Sequence, residues 1–219
     1  MKSTSHLPIK PDVMNLHQRC TAIRAQGYNQ IFGVKPTAVY GFHQLRGNDD
    51  GLFLIDVFAY PLQVGGMDKS VLAVVTNGMS DQAMVLDQKR PDRPRRRELI
   101  QYVTDCQLPQ ARALRDMAWL PLFDGFLLDT RDTAAWELPG LDNSSLKHSF
   151  FLDPIWEPHQ QSFATIDRES VSFLWRIPIS SAELAFKKER GADALLDRMD
   201  EVKLPWIFEE TNRPPLLKG

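Results

Sequence analysis

The chain has little cysteine: only Cys20 and Cys106 occur in 219 residues, and neither lies in a C-x-x-C pair or a Cys/His cluster. This scarcity excludes a disulfide framework and a zinc finger, and it favours a reducing cytoplasm. No apolar run approaches the eighteen or so residues that span a bilayer, and no charged segment followed by an apolar stretch opens the sequence. We therefore expect a cytoplasmic protein that is neither secreted nor embedded in a membrane.

A strong excess of one charge sign is also missing, because 26 basic residues face 28 acidic residues and the formal net charge is -2. Nothing in this balance indicates a nucleic-acid or membrane partner. Hydrophobic residues make up 43% of the chain, which is ordinary for a globular protein. A single domain of this length buries roughly 70% of its unfolded surface, so a core forms without cross-links.

The motifs of common enzyme and metal sites are absent as well. The sequence contains no H-E-x-x-H, no EF-hand loop, no G-x-x-x-x-G-K-[ST] and no G-x-G-x-x-G. The five histidines are scattered, and none is marked out as a catalytic base. We therefore expect no metal, no cofactor and no catalytic residue, while the oligomeric state stays open.

Helical spacing appears first near the N-terminus. A stripe of Val13, Leu16, Cys20 and Ile23 recurs every three or four residues, which predicts an amphipathic helix that ends near Gly27. Such a helix is expected to lie on an apolar surface.

Further helices are predicted in the second half of the chain. Residues 109–120 have helical spacing and begin with a proline, as first turns often do. Ser180 and Glu183 match a capping box, in which each side chain bonds the other residue's backbone amide, so a helix begins there and Gly191 ends it. Residues 192–202 form the next helix.

Seven segments rich in apolar, β-branched and aromatic residues are predicted strands. The sequence GNDDG at 47–51 is a turn signal, so the first two strands form a hairpin. The run 71–76 is apolar at nearly every position, as expected of a central strand that is covered on both faces. The predicted strands are 37–46, 51–60, 71–76, 97–103, 125–129, 148–153 and 171–179.

These elements together indicate the α+β class, with a mixed β-sheet flanked by helices in a single domain. We expect an N-terminal helical segment over residues 1–30 that packs on the domain. The main α/β domain covers residues 31–203, and a C-terminal tail covers residues 204–219.

Ser80 follows the apolar run 71–76 in the sequence Gly78-Met79-Ser80-Asp81-Gln82. The nucleophile of α/β-hydrolases lies in G-x-S-x-G, and here the second glycine is missing. Ordinary turn chemistry also accounts for a strand that ends in Thr-Asn-Gly and continues in Ser-Asp. We therefore expect Ser80 to shape a turn and keep a serine-dependent hydrolase as the alternative function.

The most unusual stretch is the basic loop, residues 89–97. Arginine binds carboxylates and phosphates through its planar fork, so this loop is a candidate surface for a protein partner. Nucleic-acid binding through the same loop is the further alternative, although no aromatic residues interleave the charges. The residues expected to contact a protein partner are Arg90, Arg93, Arg95 and Arg96.

Several short motifs occur in a characteristic order over about residues 38–200. An apolar strand leads into Thr76-Asn77-Gly78-Met79-Ser80, and Arg97-Glu98-Leu99 opens the next strand. Pro178-Ile179 then precede Glu183-Leu184 and Gly191-Ala192. In these motifs, among them T-x-G-[LM]-S, the chain resembles the suppressor of fused (SUFU-like) domain family.

The resemblance implies a mixed α/β fold and a protein-binding function without catalysis. Bacterial members of the family look like immunity proteins, which neutralise a polymorphic toxin by binding it, and this compact chain resembles such a stand-alone member. Its expected partner is then a protein, with a toxin as the candidate. The motif residues expected to be structural are Thr76, Gly78, Ser80, Glu98, Pro178 and Glu183.

Overall fold

The computed structural model describes residues 11–41, 54–63, 70–85, 88, 91–125, 127–135, 145–209, 213 and 216–217. The helices are α1 (Pro11–Phe32), α2 (Leu108–Asp124), α3 (Glu157–Gln160), α4 (Ser181–Arg190) and α5 (Ala192–Glu201). The strands are β1 (Ala38–Tyr40), β2 (Asp56–Leu62), β3 (Val71–Asn77), β4 (Arg96–Val103), β5 (Thr133–Ala134), β6 (His148–Leu152), β7 (Ala164–Ile166) and β8 (Glu169–Ile179). The predicted α+β class, with one mixed sheet flanked by helices in a single domain, is confirmed.

The eight strands form one sheet in the order β1-β2-β3-β4-β8-β6-β5, and β7 pairs with β8 beside this path. The pair β4 and β8 is parallel, whereas the other pairs are antiparallel. The predicted pairing of the first two strands is confirmed, although the GNDDG turn lies outside the described residues. The apolar run 71–76 becomes β3, an interior strand between β2 and β4, as predicted.

Alternation along the strands divides the core between the two faces of the sheet. On one face, hereafter the α2 face, α2 packs on alternate strand residues such as Val74, Leu99 and Leu174. On the opposite face, hereafter the α1 face, residues of α1, α4 and α5 pack on an aromatic cluster that includes Tyr102 and Phe173. The sheet is therefore covered on both sides, as its nearly continuous apolar strands require.

The predicted end of the first helix at Gly27 is wrong, since α1 continues to Phe32. Gly27 is needed for close packing, because a Cβ atom there would lie 2.0 Å from the carbonyl oxygen of Phe163. The predicted apolar stripe is also rotated: Cys20 is buried, but Leu16 and Ile23 are only partly buried. The side chain of Val13 lies outside the described residues.

The predicted strand 125–129 is wrong. Gly125 ends α2 in the left-handed conformation with φ 66°, and residues 127–129 continue as a loop. Leu127 and Leu128 are apolar because they fill the core of the α2 face, which does not require a strand. The short strands β5 and β7 and the one-turn helix α3 were not predicted, because each has too few residues to show periodicity.

Hydrogen bonds hold both the start of α4 and the C-terminal tail in place. The predicted capping box is confirmed, since the Ser180 hydroxyl accepts from the Glu183 amide at 3.2 Å and the Glu183 carboxylate accepts from the Ser180 amide at 2.8 Å. In the tail, the amide of Phe208 donates to the Tyr102 carbonyl at 2.7 Å, and Arg213 donates twice to Glu183.

No described helix combines the length and apolar character needed to cross a membrane.

Candidate functional site

The end of β3 turns sharply into a 3-10 turn over Met79–Asp81. Gly78 begins this turn with φ 140°, a conformation that side chains disfavour. A Cβ atom at Gly78 would also lie 2.0 Å from the carbonyl oxygen of Leu54. The glycine of the motif is therefore required by both conformation and space, and the turn aims three successive backbone amides at β4.

The carboxylate that meets these amides belongs to Glu98, which is fully buried on β4. Its Oε1 accepts from the amides of Gly78 at 3.0 Å and Ser80 at 2.9 Å, and from the Ser80 hydroxyl at 2.6 Å. Its Oε2 accepts from the Thr76 hydroxyl at 2.7 Å and the Met79 amide at 3.3 Å. Five donors thus satisfy one buried carboxylate, which is the condition for burying such a charge.

Arg24 of α1 supplies the positive charge of this cluster. Its guanidinium is fully buried and donates to Asn77 Oδ1 at 2.6 Å, to Ser80 Oγ at 3.1 Å and to Asp81 Oδ1 at 2.5 Å. Its Nε also lies 3.5 Å from Glu98 Oε1. One arginine therefore joins α1 to β3, to the 3-10 turn and to β4.

Two further side chains close the cluster at Asp81. His17 lies on α1 one helical turn before Cys20, and its Nδ1 is 2.6 Å from Asp81 Oδ2. Arg96 donates to the carbonyl oxygens of Ser80 and Asp81 at 2.7 and 3.0 Å. The Glu98 cluster, as we call it, comprises His17, Arg24, Thr76, Asn77, Gly78, Met79, Ser80, Asp81, Arg96 and Glu98.

Burial and neighbouring charges shift the pKa values of Arg24 and of two side chains beside the cluster, Tyr28 and Cys20. Burial by itself lowers the pKa of Arg24, but the carboxylates of Glu98 and Asp81 outweigh this effect and the pKa is raised. Burial, with Glu98 as the next cause, raises the pKa of Tyr28 well above its usual value. Burial and then Asp81 raise the pKa of the Cys20 thiol, so Cys20 is not an activated nucleophile.

Ser80 is enclosed in this cluster. Its side chain is fully buried, and among the described residues the partners of its Oγ are Arg24 and Glu98. A serine nucleophile needs a neighbouring base and access for a substrate, and the amides that would hold an oxyanion here already bind Glu98. The hydrolase alternative therefore gains no support from the geometry. The hydrogen bonds and ion pairs of the cluster instead attach α1 to the sheet.

The arginines of the basic loop separate into two kinds. Arg96 and Arg97 are neighbours on β4, so their side chains leave opposite faces of the sheet, and each is only 7% exposed. Arg96 binds Asp167 and Glu169 on the α1 face, and Arg97 binds Asp129 at 3.0 Å on the α2 face.

Arg93 and Arg95 are more exposed, with side-chain exposures of 36% and 33%. Arg93 binds Asp129, which Arg97 also binds, and Arg95 binds Glu169 at 3.0 Å, which Arg96 also binds. Each exposed arginine thus shares its carboxylate with a buried one. Arg90 lies outside the described residues, and the partner contacts predicted for the loop stay predictions.

The structure brings four of the six motif residues into one place, because Thr76, Gly78, Ser80 and Glu98 form the centre of the cluster. The other two lie elsewhere. Pro178 pairs with Ser149 of β6, and Glu183 caps α4 and receives Arg213.

Sequence reasoning missed Arg24, His17 and Asp81 as members of the cluster. A signal was present, because His17, Cys20 and Arg24 recur at helical spacing on the face that α1 buries. A buried glutamate at position 98 also demands a cation, and nothing local to Glu98 in sequence identifies which cation that is. Among the described residues, no group of three or more His, Cys, Asp or Glu side chains is arranged to hold a metal ion.

In a comparison with protein families, the model of the family described as "Suppressor of fused protein (SUFU)" matches residues 55–214. A search of curated protein sequences finds no match.

Solved structures of this family have a similar fold at low sequence identity. A protein named as a SUFU homolog from Neisseria gonorrhoeae is 15% identical with a TM-score of 0.63, and the alignment covers 92% of this chain and 99% of that one. The structure of the Sufu-Fu complex gives 16% identity and a TM-score of 0.55 over 82% of this chain and 84% of that one. Drosophila Suppressor of Fused gives 14% identity and a TM-score of 0.54 over 83% of this chain and 47% of that one.

Proposed function

Since the chain belongs to the suppressor of fused family, we propose that it acts by binding a protein partner and not by catalysing a reaction. The observation that carries this proposal is the match of the family model over residues 55–214. A similar structure of the same fold is that of a complex, Sufu-Fu. We further propose that this chain is a bacterial immunity protein, whose partner is a toxin that it neutralises.

The chemistry of the site supports a binding role. The residues that resemble a nucleophile turn are committed to internal hydrogen bonds, since Ser80 and the amides beside it bind Glu98. Both cysteines are buried free thiols, which suits the reducing bacterial cytoplasm that we propose as its location. The similar structure from Neisseria gonorrhoeae supports a bacterial setting.

We propose that Arg93 and Arg95 are the part of the basic loop that contacts the partner. Both are partly exposed, whereas Arg96 is held by four bonds inside the protein. Because Asp129 keeps Arg97 and Glu169 keeps Arg96, an acidic partner surface can recruit Arg93 and Arg95 without leaving a carboxylate unpaired. Arginine is also common among the residues that dominate protein interfaces.

The test is growth rescue in a host cell that expresses the toxin gene adjacent to this chain's gene. The wild-type chain is expected to restore growth and to co-purify with the toxin. The double variant Arg93→Gln/Arg95→Gln is expected to weaken both effects, and it should remain folded because Asp129 keeps its ion pair with Arg97 and Glu169 keeps its ion pair with Arg96.

Arg112→Gln is the matched control, because Arg112 is an exposed arginine on α2 outside the basic loop. Control and wild type should rescue equally. Full rescue by the double variant removes the basic loop from the proposed interface. If the wild-type chain fails to restore growth and fails to retain the toxin, the proposed function is overturned.

A further inference from the structure

Arg176 occupies an unusual position in the middle of β8. It is 3% exposed and lies on the α2 face, opposite Phe151 of β6 and one pleat from Leu174. Its Nε donates to Ser149 Oγ at 2.8 Å, and its Nη1 donates to Gln101 Oε1 at 2.7 Å. Its Nη2 is buried and has no hydrogen-bond partner among the described residues. Both of its acceptors are neutral.

This environment differs from that of every other buried arginine in the described part of the chain. Each of the other four has a carboxylate oxygen within 3.0 Å, whereas Arg176 forms no ion pair with a described residue. An unpaired charge in an apolar interior costs several kcal/mol. The four paired arginines are Arg24, Arg96, Arg97 and Arg115.

Loss of the proton does not relieve this cost at neutral pH. Burial lowers the pKa of Arg176, but only to about 10, so the guanidinium still carries its charge at pH 7. The remaining way to compensate a buried charge is a counter-ion at hydrogen-bonding distance, and the free Nη2 is the group that can bind one.

We propose that Arg176 binds one small, weakly hydrated monovalent anion, with chloride as the physiological ligand and Nη2 as the donor. The neighbouring side chains of Phe151 and Leu174 are apolar and fully buried, so an anion that gives up its hydration shell easily is favoured over fluoride, sulfate or phosphate. The anion would neutralise the charge shared by β4, β8 and β6, the three strands that the hydrogen bonds of Arg176 connect.

Thermal unfolding in sodium bromide and in sodium fluoride at equal ionic strength tests this site. A ligand that binds only the folded state raises its melting temperature by mass action. For a site with a Kd of about 1 mM, 200 mM bromide should raise the Tm by about 7 °C relative to fluoride. General salt effects run in the opposite order, because excluded, strongly hydrated anions stabilise folded proteins.

Two variants locate the effect. Arg176→Met has a similar side-chain volume but no charge or donor. Only the general salt effect should remain in it, so it should lose the stabilisation by bromide. Arg112→Met is the control at an exposed arginine and should keep it. A difference between bromide and fluoride that is the same in the wild-type protein and in Arg176→Met would overturn the proposal.

Crystals of the wild-type protein grown in sodium bromide keep the proposal testable if Arg176→Met does not fold. An anomalous scattering peak within hydrogen-bonding distance of Arg176 Nη2 is the expected result. A water molecule at that position, with no anomalous peak, would overturn the proposal.

Discussion

Replacing Glu98 by glutamine should strongly destabilise the protein, although the side chain keeps its size and loses only its charge. Glu98 accepts five hydrogen bonds, and its carboxylate lies beside the buried guanidinium of Arg24. A glutamine side chain has one acceptor oxygen and one NH2 group in place of two acceptors.

The less costly orientation of the glutamine places its NH2 group at the present position of Oε2. There it faces two donors, the Met79 amide and the Thr76 hydroxyl. The Met79 amide loses its acceptor. The Thr76 hydroxyl can rotate, and its oxygen can then accept from the NH2 group as it already accepts from the Leu99 amide. One unsatisfied buried donor costs about 1–3 kcal/mol, and hydrogen bonds to a charged group are worth about 1.5–3 kcal/mol. We expect a loss of about 3 kcal/mol in the free energy of unfolding, since Arg24 retains Asp81.

Urea unfolding followed by far-ultraviolet circular dichroism measures this loss. Glu157→Gln, at an exposed position on α3, removes the same charge and should change stability by less than about 0.5 kcal/mol. If Glu98→Gln changes the free energy of unfolding by less than about 1 kcal/mol, similar to the control, the interpretation that the cluster stabilises the attachment of α1 to the sheet is refuted.

Three further predictions concern the stability of the fold. Gly78→Ala should prevent stable folding or lower the free energy of unfolding by more than about 3 kcal/mol, because its methyl group would overlap the Leu54 carbonyl at a positive φ. Soluble expression and thermal unfolding measure this effect, with Gly33→Ala as the control, since a methyl group at Gly33 meets no neighbour. Ser180→Ala should cost about 1 kcal/mol in urea unfolding through loss of the α4 cap, and Ser180→Asp should retain most of it. Acidification from pH 6.5 to 4 should lower the free energy of unfolding by up to about 3 kcal/mol, because burial lowers the pKa of His159 to about 4 while the unfolded imidazole binds its proton near pH 6.5. The stability of His159→Gln should depend less on pH, and an unchanged pH dependence would contradict the assignment.

The parts of the fold that sequence predicts are those determined by neighbouring residues. The apolar run of β3, the capping box of α4 and the apolar and aromatic run of β8 each depend on residues within one element, and all three predictions are confirmed. The segment 125–129 misled the prediction because a loop that fills a core needs the same apolar residues as a strand.

The candidate site was only half predictable for a related reason. Thr76, Gly78 and Ser80 stand close together in sequence, and a family resemblance links them to Glu98. Arg24 precedes Glu98 by 74 positions, and no local pattern reports such a pairing.

The basic loop shows the same limit, because Asp129 and Glu169, which bind its arginines, are also distant in sequence. The run of arginines therefore predicted an exposed charged surface. In the structure Arg93 and Arg95 are only partly exposed, and Arg96 is buried.

Titration of a fixed amount of the purified toxin with this chain tests the central claim of partner binding most directly. If the chain neutralises its partner by stable binding, toxin activity should fall in proportion to the chain added and reach zero near one molar equivalent, with both proteins in one complex on gel filtration. Neutralisation by a few hundredths of an equivalent, with no complex, would show that the chain acts catalytically and would contradict the claim.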